Sequence, residues 1–163
     1  MNFKVGIITS LFLIGSVLIP VYSQADTINQ KNPDNGRKIG YWIILGSMSK
    51  EKGYDADAKV EEGVYNNSRK NGVWKKYWPN GKLKSEIIYK RGHSTGAYTT
   101  YFKNGNVEEK GTMRNGFLVG GYQLNWENGK TRQLKTFNSL GATEGVVELF
   151  YENGAKELVF NTV

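Results

Sequence analysis

The sequence predicts an all-β protein, an extended and twisted antiparallel β-meander of tandem β-hairpins laid out in a single layer. The Asn-Gly dipeptide occurs seven times in 163 residues, and four of these lie about 24 residues apart, at Asn80, Asn104, Asn128 and Asn153. Asn-Gly between runs of aromatic and β-branched residues is a strong hairpin signal. Aromatic residues make up 13% of the chain and glycine fills 20 positions, which favours short strands and tight turns over long helices.

The repeats divide residues 40–163 into five copies, near 40–71, 72–95, 96–119, 120–144 and 145–163. The first copy is degenerate, because the long charged segment MSKEKGYDADA separates its two strands. The third copy is one residue longer than the second. Since Tyr89, Met113 and Phe137 keep a spacing of 24, the extra residue is predicted to lie after Phe137, in a loop between 138 and 144.

Each Asn-Gly pair is predicted to form a two-residue type I′ turn, which needs positive φ at both residues. Counting outward from Asn80-Gly81 pairs Trp74 with Ile87 and Trp78 with Leu83. Side-chain alternation then places an aromatic row on one face, with Trp74, Trp78, Tyr98, Phe102, Tyr122, Trp126 and Tyr151. The other face carries Tyr77 and Tyr101 among polar residues.

These nine aromatic side chains are the candidate binding residues. A single-layer sheet has no second sheet to cover its aromatic row, so two arrangements are open. The rings pack on one another across strands as the core, which we favour, or part of the row stays open as a platform on which sugar rings stack.

A second candidate surface is a basic patch within residues 69–91, which hold eight basic side chains against Glu86 alone, a local charge of +7. The patch would attract anionic lipid headgroups, phosphate-bearing glycans or an acidic protein, with binding that weakens as salt rises. The alternative is a solvated surface that protects strand edges from aggregation. The eight side chains are Arg69, Lys70, Lys75, Lys76, Lys82, Lys84, Lys90 and Arg91.

The N-terminus predicts export. Residues 5–19 form an apolar run that follows Lys4 and ends at Pro20, which is the layout of a secretory signal peptide over residues 1–23. Cleavage before Gln24 or before Asp26 fits equally well. An uncleaved anchor is less favoured, since a spanning helix needs about 20 apolar residues. Residues 24–39 are predicted to be a flexible leader, and the exported chain is expected in the periplasm or at the cell exterior or outer surface.

The composition offers little for catalysis. There is no Cys, which excludes disulfides and thiolate metal sites, and His93 is the single histidine. Asp55 and Asp57, with Glu61 and Glu62 nearby, fit a solvated acidic loop better than a calcium site, because the Gly and Glu of an EF-hand are missing. We therefore expect no enzyme, no catalytic residues, no metal and no cofactor.

The copies follow the pattern G-x-[WY]-x-x-Y-[WFY]-x-N-G-[KN]-[LV]. This pattern resembles the bacterial variant of the MORN-type repeat, which is found in proteins of the YwqK-type antitoxin-like family. The resemblance implies an extended antiparallel sheet used for binding and no catalytic residues. The third and fourth copies depart from it at Asn125, Thr131 and Val147. The matching positions are Gly72, Trp74, Tyr77, Trp78, Asn80, Gly81, Lys82 and Leu83 in one copy, and Gly96, Tyr98, Tyr101, Phe102, Asn104, Gly105 and Val107 in the next.

The functional expectation is an exported, non-enzymatic binding or scaffold module at the cell envelope, acting through a sheet face or the basic patch. The expected partner is a protein or an anionic envelope surface, either lipid headgroup or glycan. One alternative is a carbohydrate or cell-wall-binding module that uses the aromatic row, and a second is an antitoxin or immunity-type protein. Nucleic acid is not expected because the chain is predicted to be exported, and no integral membrane span is expected after cleavage.

Overall fold

The computed structural model describes residues 28–162, and the predicted signal peptide at 1–23 lies outside this range. The described residues form one antiparallel sheet of eleven strands that pair in chain order. This confirms the predicted single-layer β-meander. The strands are β1 Gln30–Lys31, β2 Lys38–Leu45, β3 Lys59–Asn66, β4 Arg69–Tyr77, β5 Leu83–Lys90, β6 His93–Tyr101, β7 Val107–Arg114, β8 Phe117–Asn125, β9 Thr131–Phe137, β10 Thr143–Phe150 and β11 Lys156–Thr162.

Strand β1 lies in the segment that the sequence predicts as a flexible leader. Gln30 pairs with Ile39 and Lys31 with Lys38, so β1 covers the start of β2. The Asn29 amide extends this contact, because its Nδ2 donates to the Ile43 carbonyl and its Oδ1 accepts from the Ile43 N–H, at 3.1 and 2.8 Å. The outer side of β2 is thereby partly protected from pairing with another strand.

The long segment between β2 and β3 folds back on the sheet. It contains a short 3-10 turn at Gly46–Met48. The Tyr54 hydroxyl donates to the Tyr77 carbonyl at 2.6 Å, and Glu51 forms an ion pair with Lys76. The charged insertion of the first copy therefore packs on β4.

The four in-register Asn-Gly turns are not of type I′, and that prediction is wrong. In the first, the Trp78 N–H donates to the Lys82 carbonyl and the Gly81 N–H to the Trp78 carbonyl, at 2.7 and 2.8 Å. Gly81 has φ +79° whereas Asn80 is not in the positive-φ region. This is a three-residue loop, a type I turn closed by a left-handed glycine.

The extra loop residue changes the pairing beside the turn only. Trp74 pairs with Ile87 as predicted, but Leu83 pairs with Tyr77 rather than with Trp78, across a bulge. The same turn recurs at 102–106, 126–130 and 151–155. We call this side of the sheet the bulged-turn edge.

Type I′ turns occur along the opposite long side of the sheet, which we call the tight-turn edge. Asn67-Ser68, Arg91-Gly92 and Asn115-Gly116 have positive φ at both residues. Each joins strands whose flanking residues pair directly, as Lys90 does with His93. At 138–142 one more residue converts the tight turn into a three-residue loop in which Gly141 has φ +84°. The extra residue of the third copy therefore lies where the spacing predicts it.

The core is formed by side chains of neighbouring strands on one face, which we call the aromatic face. Trp42 and Trp74 are 4% and 3% exposed, and the Tyr65 ring lies between them at centroid distances of 5.8 and 4.7 Å. Trp74 covers Gly63, where an added Cβ would lie 2.5 Å from the indole Cδ2. Large rings thus fill the space above small residues on adjacent strands, which gives burial without a second layer.

Successive copies are joined by the asparagines of the bulged-turn edge. The Oδ1 of Asn128 accepts from the Lys130 N–H at 2.9 Å within its own turn, and its Nδ2 donates to the Glu152 carbonyl of the next copy at 2.9 Å. Asn80 and Asn104 make the equivalent bonds to the carbonyls of Lys103 and Glu127. One amide therefore stabilises its own turn and couples it to the next.

Replacing Asn128 with Ala is expected to lower the free energy of unfolding by about 1 kcal/mol more than Asn153→Ala does. Asn153 makes the same bond within its turn, to the Ala155 N–H at 2.8 Å, but no donation from its amide to another copy occurs among residues 28–162. Urea unfolding monitored by tryptophan fluorescence measures both variants. Equal losses would show that the bond between copies adds nothing to stability.

Candidate binding surfaces

The aromatic row is mostly engaged in packing. Trp74 and Tyr98 are buried, each 3% exposed, while Tyr151 alone of the nine candidates is exposed, at 51%. Tyr77, Trp78, Tyr101, Phe102, Tyr122 and Trp126 are half-buried. The structure therefore places most of the candidate residues in the body of the sheet rather than on an open platform.

Cations lie over the rings that remain accessible. The Lys84 Nζ lies 4.4 Å from the Trp78 ring centroid, and the Arg132 guanidinium lies 4.5 Å from that of Trp126. Both indole N–H groups are also used, since Trp78 donates to the Tyr101 carbonyl and Trp126 to the Phe150 carbonyl, each at 2.9 Å. A sugar ring would have to displace these cation–π contacts in order to stack.

The opposite face contains a buried carboxylate, Glu62 of β3, which the sequence groups with a solvated acidic loop. Glu62 is 9% exposed and accepts hydrogen bonds from the Tyr77 hydroxyl and, at 2.7 Å, from the Lys59 Nζ. Burial acts to raise the pKa of Glu62, but the hydrogen bonds from Lys59, Tyr77 and Tyr41 outweigh it, so the pKa is lowered. Burial, and then the bond to Glu62, raise the pKa of Tyr77. Glu62 is therefore a stable anion that ties three strands together.

The aromatic face has a related pair, in which the Tyr98 hydroxyl donates to Glu109. Burial, and then this hydrogen bond, raise the pKa of Tyr98. Both tyrosines are thus neutral donors at physiological pH, fixed by carboxylates on other strands. Neither arrangement leaves a proton poised for transfer near neutrality.

Most glycoside hydrolases need a pair of carboxylates in a cleft. Glu62 is the one buried carboxylate among the described residues. A concavity of about 420 Å³ is lined by polar and apolar groups such as Thr99, Thr112 and Gln123, with Lys110 and no acidic side chain. No group of acidic and histidine side chains able to hold a metal ion is found within 28–162.

The structure divides the predicted basic patch into two groups. Five of the eight side chains have partners among the described residues. Lys70 and Lys76 form ion pairs with Glu61 and Glu51, Lys75 lies 3.9 Å from Glu86, Lys82 donates to the Asn104 carbonyl, and Lys84 lies on Trp78. Across residues 28–162, Arg69, Lys90 and Arg91 have no side-chain hydrogen bond or ion pair, and all three are exposed at the tight-turn edge.

The tight-turn edge continues beyond the predicted patch. Its three type I′ turns with their flanking residues span 66–69, 90–93 and 114–117, and these twelve positions hold four Arg or Lys, the single His93 and no acid. The fourth cation is Arg114, which the sequence analysis did not include. The sequence does offer a sign of its position, because Arg114 directly precedes Asn115-Gly116, an Asn-Gly pair that does not belong to the four spaced about 24 residues apart.

The same edge also carries the two most exposed large apolar side chains of the described residues. Leu140 is 86% and Phe117 is 65% exposed. They belong to neighbouring turns, because an added Cβ on Gly141 would lie 3.6 Å from the Phe117 Cβ. Unpaired cations and exposed apolar groups therefore share one side of the sheet.

The two long edges use their side chains differently. On the bulged-turn edge, Asn and Lys side chains bond to the next copy. On the tight-turn edge the backbone makes that connection, as when Gly92 donates to the Lys70 carbonyl and Gly116 to the Ser94 carbonyl, at 2.8 and 3.0 Å. At the turns that contain Gly92 and Gly116, the backbone therefore joins the copies without a bond from the turn side chains.

Comparison with known proteins supports the repeat assignment. The family model described as the MORN repeat variant matches residues 70–91 and 94–115, which are the hairpins β4–β5 and β6–β7. The predicted resemblance to the MORN-type repeat is thus confirmed for these two copies, and repeats of this kind generally serve as binding or scaffold modules.

No curated protein matches the sequence. Among solved structures, the chain is similar to part of one titled "Crystal structure of GtfA/B complex bound to UDP and GlcNAc". The identity is 12% and the TM-score 0.32, over 56% of this chain and 22% of that one. The alignment therefore spans about a fifth of the other chain and carries no argument about function.

Replacing Glu62 with Gln is expected to lower the free energy of unfolding by about 1–3 kcal/mol at pH 7, because Lys59 and two tyrosines lose their charged acceptor. A lowered pKa means that the stabilisation is present above the ordinary carboxyl value of 4.5 and is lost as the pH falls through the folded value. Urea unfolding at pH 7 and at about pH 3 measures this.

Glu86→Gln is the control, since Glu86 is 43% exposed and 3.9 Å from Lys75. It is expected to change stability by less than about 0.5 kcal/mol at either pH. A Glu62→Gln protein that matched this control at pH 7 would show that the buried carboxylate does not hold the strands.

Proposed function

We propose that the chain is an exported, non-enzymatic β-repeat module that attaches to an anionic lipid surface of the cell envelope through its tight-turn edge. The observation that carries the proposal is the joint presence on this edge of unpaired cations and of exposed Phe117 and Leu140. Peripheral membrane binding uses these two components together, since apolar side chains enter the interface and cations are attracted to anionic headgroups.

Export supplies the setting for this function. The apolar N-terminal segment at 5–19 supports translocation, after which the chain would lie beside an envelope membrane. Within the described residues no helix is long and apolar enough to span a membrane. Attachment through an edge would hold the module at the surface, with its faces and its bulged-turn edge turned away from the lipid.

The size of the effect fits reversible attachment. Each Lys or Arg near an anionic surface contributes about 1 kcal/mol, and burial of a Phe or Leu side chain contributes roughly 1.5–3 kcal/mol. Four cations and two apolar groups are enough for binding that salt weakens but does not abolish. Sugar stacking on the aromatic row has less support, because packing and cations occupy most of those rings.

The mature chain is expected to co-sediment with vesicles of equal phosphatidylglycerol and phosphatidylcholine and not with vesicles of phosphatidylcholine alone. Raising the salt to about 1 M should weaken binding strongly, because the Debye length then falls to about 3 Å. The chain is purified from the envelope fraction, and its N-terminal residue is determined. Gln24 or Asp26 as the first residue would agree with the predicted cleavage and export.

Phe117→Ser is expected to weaken vesicle binding about tenfold, since it removes one buried apolar group. Tyr151→Ser is the matched control, because Tyr151 is a 51% exposed aromatic residue on the bulged-turn edge. Equal loss in both variants, or equal binding to neutral vesicles, would contradict attachment through the tight-turn edge.

A further inference from the structure

The tight-turn edge contains a small polar pocket between its first two turns. The pocket has a volume of about 270 Å³ and is lined by Asn66, Asn67, Arg69, Asn71 and Arg91. Two arginines and three asparagines therefore line one pocket, with no carboxylate among the lining residues. A cluster of this kind has an excess of hydrogen-bond donors and of positive charge.

The two arginines belong to different copies that the backbone holds together. Arg69 begins β4, and Arg91 lies in the turn after β5. The Gly92 N–H donates to the Lys70 carbonyl at 2.8 Å, and an added Cβ on Gly92 would lie 3.6 Å from the Arg69 Cβ. The turn between β5 and β6 is thus packed against the first residues of β4, so the pocket is held in place by the backbone of the sheet.

The amide groups are also oriented. The Oδ1 of Asn67 accepts a hydrogen bond from the Arg37 guanidinium at 3.1 Å, which turns its NH2 group away from Arg37 as a donor. Asn71 lies near the start of β4, after the turn, and is half-buried. No hydrogen bond or ion pair engages the side chains of Arg69, Asn71 or Arg91 within the described part of the chain. These donors are available to a ligand.

Backbone conformation gives an independent sign that the turn itself does not require an arginine at position 91. Arg91 has φ +54°, and the equivalent first turn positions are Asn67 and Asn115, with φ +54° and +51°. Asn tolerates the left-handed region better than a long side chain does. An arginine at this one turn works against local stability, and residues kept in unfavourable backbone conformations are typical of functional sites.

The other junctions act as internal comparisons. Moving each lining residue one repeat along gives Lys90, Arg91, His93, Thr95 and Asn115, and a second step gives Arg114, Asn115, Phe117, Val119 and Ser139. The cluster of two arginines and three asparagines occurs once, although the backbone ladder repeats. The repeat architecture therefore does not require it.

We infer that Arg69 and Arg91, with the Asn67 and Asn71 amides, form a binding site for a phosphate group, as a phosphomonoester, a phosphodiester or inorganic phosphate. Arginine forks and amide N–H groups match the geometry and charge of phosphate oxygens. This inference rests on the proposed function, because it names the chemical group that the same edge would recognise. The phosphate could belong to a lipid headgroup or to a soluble or glycan-borne ester.

The first experiment uses inorganic phosphate as the probe, at low and constant ionic strength, and follows backbone amide shifts of the mature chain by NMR. Saturable shifts are expected at residues 66–71 and 91–92. Arg69→Gln and Arg91→Asn are each expected to weaken binding about tenfold, the loss of one charge-assisted hydrogen bond. Lys52→Gln removes one positive charge from an exposed side chain outside the tight-turn edge and should bind as the unaltered chain does.

Arg91→Asn also separates binding from folding. Because Asn suits the left-handed turn position, this variant is expected to unfold at the same or a higher temperature than the unaltered chain while binding phosphate more weakly. Absence of saturable shifts, shifts spread over all basic residues, or an equal loss in Lys52→Gln would overturn the site.

The second experiment distinguishes the source of the phosphate and separates the site from the proposed function. If the site takes lipid headgroups, Arg91→Asn should lower binding to phosphatidylglycerol vesicles and inorganic phosphate should compete with them. If phosphate binds with the expected variant pattern but vesicles do not bind at all, the site stands for a soluble or glycan-borne phosphate and the lipid attachment is wrong. If vesicles bind but phosphate does not, the site is wrong and attachment depends on general charge.

Discussion

The structure depends on one constraint, which is that a single-layer sheet has to bury apolar surface against itself. No second sheet or helix covers either face of the described residues, so side chains must cover their neighbours on adjacent strands. Trp74 does this by lying on Gly63, and Tyr98 lies on Gly111 in the same way. Lysines and an arginine then cover the accessible ring faces with their cations. Each strand pair therefore depends on the next, as in other linear repeat proteins.

This solution determines where side chains are free for function. The faces are committed to cross-strand packing, and the bulged-turn edge to the amide and ammonium bonds between copies. At the tight turns of Gly92 and Gly116 the same coupling is made by backbone N–H groups, so the side chains there can vary without loosening the ladder. Unpaired arginines, Phe117 and Leu140 are all found there. The two edges differ because their turn types differ. A two-residue loop points a backbone N–H toward the neighbouring copy, and a three-residue loop does not.

Much of the fold could be predicted from the sequence, because the spacing between Asn-Gly pairs equals the length of the repeating hairpin unit. It gave the sheet order, the inner pairing of Trp74 with Ile87 and the position of the extra residue near 138–142. The turn type was wrong because Asn-Gly suits both a type I′ turn and a type I turn with a left-handed glycine, and only the structure shows the Asn amide reaching the next copy. Strand β1 was not foreseen, since its two residues carry no periodic signal.

The candidate surfaces were harder to predict than the fold. The eight basic residues are contiguous in sequence, but alternation sends Lys70 and Lys75 to different faces and leaves Arg69, Lys90 and Arg91 at one edge. Arg114 joins them only because the strands bring three turns into a row. Glu62 looks like part of an acidic stretch until Tyr77, fifteen residues away, is seen to donate to it. Each of these groupings depends on pairing between strands, which a linear charge count does not contain.

Stability measured for Gly111→Ala and Gly121→Ala tests the central account most directly. A Cβ on Gly111 would lie 3.0 Å from the Tyr98 ring, whereas nothing lies within 4 Å of a Cβ on Gly121, and neither glycine has positive φ. If cross-strand cover holds the single layer together, Gly111→Ala should lower the free energy of unfolding by about 1–3 kcal/mol, and Gly121→Ala should leave it unchanged or slightly raised. Equal effects in the two variants would show that the sheet does not depend on large rings lying over small residues.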